Sequence, residues 1–234
     1  MAAFRLAYAS GAEGLEFDVR LSKDGVPVVI HDATLERVGE LRSKVSDLTL
    51  EELKQIDVGS WFDRKHKKRQ RTDHSGERIP TLDEVLELAK ASDGPLYIEL
   101  KCDQVSDAEA TARAVCGLIG DSPALPRMIV KSFRPAAVMA VRSLLPGVTT
   151  AALFSPAILM ILRRRRHMID LAREFGADQL SLHYSLAAKH IVRMAAMPVT
   201  VWTVDDPKWI AKCERRGIGA LITNDPARFA ATME

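Results

Sequence analysis

The sequence predicts a (β/α)8 barrel of the TIM type that lacks its first strand and carries a small insertion after its second. Three observations lead there. Short apolar runs rich in β-branched residues alternate with longer helical patterns along the chain, which calls for a parallel sheet with helices outside. The alternation continues through 234 residues, which favours a barrel over an open sheet. The barrel strands number seven, one short of closure, and the chain opens on a helix. Charged residues at 27%, apolar residues at 47% and a net charge of +2 describe one large soluble domain, 1–234, and give no support for a nucleic-acid partner. Cys102, Cys116 and Cys213 are odd in number and widely spaced, so neither a disulfide framework nor a zinc site is expected. With no secretory signal and no spanning stretch, a cytoplasmic location is the expectation.

Taken in order, "MAAFRLAYASGAEG" (1–14) reads as a helix and a glycine turn. A first strand belongs just before that helix. The simplest account makes Met1 an internal methionine of a longer protein; the alternative is a barrel with an open seam. Strands are expected at 14–21, 96–101, 128–133, 149–154, 179–184, 199–204 and 220–223. Helices are expected near 81–91, 107–119, 135–144, 156–175, 187–195 and 207–216. "PVVIHD" follows the first of these strands after only a Lys23-Asp24-Gly25 turn, too short for a parallel crossover. It should fold back as an antiparallel arm and bring His31 roughly opposite Asp18. Residues 32–80 hold no clear strand and form an insertion or lid. Within it, "SDLTLEELKQI" carries a Thr49 cap with Glu52 three residues on, and "IPTLDEVLELA" then starts a helix capped by Thr81.

Residues two apart on a strand face the same way. Glu16 and Asp18 therefore share one face of "GLEFDVRL", while Leu15, Phe17 and Val19 share the other. Two inward carboxylates repel unless a cation or a proton lies between them, and a hard divalent ion such as Mg²⁺ or Ca²⁺ takes such oxygen ligands. "LYIELK" repeats the device: Glu99 can add a third carboxylate and Lys101 a positive charge. Strand-end salt bridges around the rim are the plainer alternative for any one of these acids. His31 is either a satisfied structural histidine or a general acid or base beside the acidic face.

"GAEGLEFDVRLSKDGVPVVIHDATLERV", with "IPTLDEVLELA", "YIELK", "KSF", "SLHYS", "VWTVDDP" and "LITNDPA", closely resembles the glycerophosphodiester phosphodiesterase family over nearly all of 1–234. The resemblance implies a metal-dependent hydrolase of lipid and glycerol metabolism. It would cleave a small glycerophosphodiester to an alcohol and glycerol 3-phosphate. It assigns Glu16, Asp18 and Glu99 to the metal, His31 to one of two catalytic histidines, and Lys101 to the phosphate. Phe133, His183 and Trp202 fall where the family lines its substrate pocket. The family's opening strand, ending in His-Arg-Gly, has no counterpart here, and with it goes the second histidine.

Other features carry less. "RRRR" (163–166) after "AILMIL" could meet anionic lipid head groups, though a solvated helix end is the plainer reading. The same holds for "DRKHKKRQR" (63–71), which could steer phosphate substrates. His66, His74, His167 and His190 read as surface residues, and Trp61 as an anchor for the insertion. Trp202 suits core packing as well as pocket stacking. Three functions compete: the phosphodiesterase, impaired by its missing strand; a non-catalytic binding protein of the same fold; and a lysophospholipase D-type lipid phosphodiesterase.

Overall fold

A computed structural model describes residues 1–66 and 73–233. Its strands are β1 (Leu15–Leu21), β2 (Pro27–Val29), β3 (Leu96–Leu100), β4 (Met128–Ser132), β5 (Thr149–Phe154), β6 (Gln179–His183), β7 (Val199–Trp202) and β8 (Ala220–Leu221). They form one sheet in the order β2-β1-β3-β4-β5-β6-β7-β8. Of the strand pairs among the described residues, β1–β2 is antiparallel and the rest are parallel. The sheet is rolled. Thr200 on β7 donates a hydrogen bond of 3.1 Å to the Tyr97 hydroxyl on β3, across the interior from it. Ala220 and Ile222 likewise reach Tyr97, Ile129 and Ala151. Among the described residues β1 and β8 do not pair, so a seam stays open between them, in keeping with seven barrel strands and one hairpin arm.

Strand alternation decides which face goes where. Leu15, Phe17 and Val19 of β1 are buried against the outer helices, while Glu16 and Asp18 turn inward. Each such apolar side chain contributes about 1.5–3 kcal/mol on full burial, so a one-residue slip of β1 is strongly disfavoured. One outer core packs helices Leu82–Ala89, Asp107–Ile119 and Pro135–Leu144 on β1, β3 and β4. A second packs Arg166–Glu174, Lys189–Ala195 and Trp209–Arg216 on β5, β6 and β7. The opening helix, Ala2–Ala9, sets Phe4 edge-on to Phe17 at 5.8 Å. Gly94 is required where β3 begins: a Cβ there would lie 1.5 Å from the Glu13 carbonyl oxygen.

The insertion has its own small core of Val28, Ile30, Leu35, Val38, Val45, Leu53 and Ile79. Thr49 and Thr81 both cap their helices with reciprocal bonds to Glu52 and Glu84. Of the basic stretch 63–71, residues 67–71 lie outside the described residues. His74, expected at the surface, is held by Asp63 at 2.7 Å.

Two expectations need correction. The hairpin register pairs Val19 with Val29 and Arg20 with Val28, and Ile30 donates its N–H to the Asp18 carbonyl at 2.9 Å. Ile30 therefore lies directly opposite Asp18, and His31, expected roughly there, sits one residue beyond. The turn sets this: Ser22 and Val26 close it through backbone and hydroxyl bonds, with Gly25 at φ +78°. The helix expected over 156–175 is two helices, Leu159–Leu162 and Arg166–Glu174, parted where Arg163 turns to φ +55°.

Candidate active site

The parallel register of β1 and β3 places Asp18 beside Glu99, and that of β3 and β4 places Glu99 beside Lys131. Glu16, Asp18 and Glu99 each offer a carboxylate oxygen, all within 4.8 Å of one another. Lys101 Nζ lies 3.1 Å from Asp18 Oδ1 and also pairs with Glu99; Lys131 Nζ lies 2.8 Å from Glu16 Oε1. The expected cluster and its plainer alternative, rim salt bridges, are thus both present. Two ammonium groups face three carboxylates, leaving one net negative charge. Burial raises the pKa of Glu99, the Asp18 charge adds to that, and Lys101 opposes it. Burial alone would lower the pKa of Lys101; Glu99 and Asp18 outweigh it and hold it above its ordinary value. Three convergent hard oxygens with residual negative charge are a donor set that a divalent ion fits.

Across the mouth stands an aromatic wall. Trp202, at the end of β7, meets Phe133 at 5.6 Å and His183 at 5.4 Å, both edge-on. Phe133 also lies 5.8 Å from Lys101 Nζ, joining the wall to the charged cluster. Burial lowers the pKa of His183, whose Nδ1 lies 2.8 Å from Ser185 Oγ. Trp202 Nε1 is buried and has no hydrogen-bond partner among the described residues. A cavity of about 260 Å³ lies beside both groups, lined in part by Glu99, Lys101, Ser132 and Phe133. A larger cleft of about 750 Å³, between the opening helix and helix Leu82–Ala89, holds none of these residues.

His31 follows Ile30 at the end of the hairpin arm and pairs with Asp32 rather than with the carboxylate cluster. Its side chain is 63% exposed and its Nδ1 lies 2.7 Å from Asp32 Oδ1. Arg37 bonds the other oxygen of Asp32 and, with His31, holds that carboxylate below its usual pKa despite partial burial. Sequence reasoning missed two residues. Lys131, with its side chain 2% exposed, was legible only as the first letter of "KSF" on an otherwise apolar strand. Asp32, the partner of His31, was visible as its neighbour in "HD" but was given no role.

Residues 1–228 match the glycerophosphoryl diester phosphodiesterase family. A glycerophosphodiester phosphodiesterase of Caldanaerobacter subterraneus subsp. tengcongensis is 31% identical over 97% of this chain and 88% of its own. One of Bacillus subtilis is 30% identical over 97% of this chain and 78% of its own. Among solved structures, an Oleispira antarctica phosphodiesterase in complex with the product sn-glycerol-3-phosphate superposes with a TM-score of 0.83. It is 26% identical and covers 99% of this chain and 89% of that one.

Proposed function

The chain belongs to the glycerophosphoryl diester phosphodiesterase family, and on that footing we propose that it hydrolyses glycerophosphodiesters to an alcohol and glycerol 3-phosphate, aided by Mg²⁺ or Ca²⁺. The observation that carries this reading is the cluster of Glu16, Asp18 and Glu99 within 4.8 Å, flanked by two lysines at the barrel mouth. These three carboxylates would hold the ion, which when bound supplies Lewis-acid polarisation of the phosphoryl oxygens. Lys101 and Lys131 offset carboxylate charge, so an anionic phosphodiester meets a less negative site. Lys101 is the nearer to the aromatic wall and would donate to a phosphate oxygen.

Hydrolysis forms one P–O bond from water and breaks the P–O bond to the alcohol. The proton lost by water must be accepted, and the alkoxide must receive one. Asp32 engages His31 at Nδ1, which leaves Nε2 to exchange that proton. Phe133, His183 and Trp202 would pack on the organic part of the substrate. The test is choline release from glycerophosphocholine, with Mg²⁺, with Ca²⁺ and with chelator. The reading expects metal-dependent turnover that Glu16→Gln abolishes. Equal turnover in the variant or under chelator would overturn it.

A further inference from the structure

Between β5 and helix Arg166–Glu174 the chain presents a short knuckle, helix Leu159–Leu162. Ile158, Leu159 and Leu162 pack back onto the core and anchor it. Met160 and Ile161 point the other way and are 88% and 77% exposed. Arg163 then leaves the helical conformation, and Arg163, Arg164, Arg165 and Arg166 follow in a row. None of the four takes part in an ion pair among the described residues. The knuckle follows the C-terminal end of β5, the same end of the barrel as the carboxylate cluster. Other exposed apolar residues share that end: Val105 after β3, Phe133 after β4 and Tyr184 after β6.

We infer that this rim docks on an anionic lipid surface. Met160 and Ile161 enter the boundary between head groups and acyl chains, and Arg163 to Arg166 meet the lipid phosphates. Scattered single apolar residues on a surface need no explanation, but a paired protrusion on an anchored turn does. Protruding apolar residues beside clustered basic ones are the combination that binds such interfaces. The charge complementarity selects the occupant. A two-fold contact with a second copy through this patch would set arginine against arginine, and a neutral surface would leave all four unanswered. Docked this way, the mouth faces the membrane, and the substrates are lipid-borne glycerophosphodiesters such as lysophospholipids. That second half rests on the hydrolase reading above; the docking does not.

The experiment is co-sedimentation of the full chain with phosphatidylcholine vesicles, with and without phosphatidylglycerol, beside light scattering of the protein alone. Choline release from soluble glycerophosphocholine and from vesicle-borne lysophosphatidylcholine is followed in parallel. Salt-sensitive binding to the anionic vesicles is expected. The double variant Met160→Ser/Ile161→Ser should weaken partitioning by roughly tenfold, from the apolar area it withdraws. The quadruple variant Arg163→Gln/Arg164→Gln/Arg165→Gln/Arg166→Gln should erase the preference for anionic vesicles. Both should keep the soluble activity and lose the vesicle-borne one. Binding unchanged in both variants overturns the inference, as does a patch-dependent dimer that ignores vesicles. Patch-dependent binding without turnover of either substrate would uphold the docking and reject the hydrolase reading.

Discussion

The two sides of the barrel mouth are built by the same alternation of strand residues and could hardly differ more. On β1, β3 and β4 the inward residues include the charged Glu16, Asp18, Glu99 and Lys131, with Lys101 just beyond β3. At the ends of β4, β6 and β7 they are the rings of Phe133, His183 and Trp202. The rings gain from burial and add about 0.5–1.5 kcal/mol per aromatic pair. The charged side gains little net stability, because removing ions from water costs about what their attraction returns. A buried lysine against clustered carboxylates is therefore better explained by chemistry than by stability. On the proposed reading, the charged side takes the reacting phosphate and the aromatic side the organic group.

The most severe way to break this division is Glu99→Gln. It removes a carboxylate from the cluster and should lower kcat by roughly 10³-fold, about 4 kcal/mol, while circular dichroism shows the fold intact. His31→Asn should cost roughly 10²-fold in kcat as loss of general acid–base help. A full-rate His31→Asn enzyme would exclude that residue from proton transfer.

Lys131→Met sharpens the comparison, because it should move two affinities in opposite directions. Removing one positive charge a few ångströms away is worth roughly a kcal/mol or more, so the metal should bind about fivefold tighter and glycerol 3-phosphate about fivefold weaker. Lys131→Arg should restore both. Weakening of both ligands would instead indicate a packing defect. On the other side of the mouth, Trp202→Ala should act mainly on KM, by roughly tenfold for a base-sized loss of stacking area, with kcat nearly unchanged.

The smallest effect lies behind the aromatic side, at the Asp178 link between β5 and β6. Burial would raise the pKa of Asp178. The Thr150 N–H and hydroxyl and the Arg142 guanidinium outweigh it and hold the group below the usual carboxylate range. A carboxyl depressed in the folded state stabilises the fold above its unfolded pKa, and that stability is lost as pH falls through the folded one. Thermal melts should show Tm falling below about pH 4, with a shallower fall in Asp178→Asn.

Much of this could be read in the amino-acid order. The alternating carboxylates of "LEFDV" and "LYIELK" fixed which faces turn inward, because strand periodicity is local. The capping boxes at Thr49 and Thr81 were legible for the same reason. The register of the hairpin was not, since it depends on how Ser22 and Val26 close the turn, and one residue of slip replaces His31 with Ile30. Lys131 escaped notice because its burial follows from the roll of the sheet, which carries β4 to within reach of Glu16 across β3. A lysine on an exposed strand would look identical in sequence. The break at Arg163 is likewise invisible in a run whose apolar residues suit a continuous helix.

The central claim is that Glu16, Asp18 and Glu99 form one divalent-ion site serving a phosphate. Isothermal titration of Mg²⁺ and Ca²⁺ into the protein, followed by glycerol 3-phosphate, tests it most directly. The account predicts one bound ion per chain, loss of that binding in Glu99→Gln, and tighter glycerol 3-phosphate binding when the ion is present. Undiminished ion binding in Glu99→Gln, or glycerol 3-phosphate binding indifferent to the ion, would contradict it.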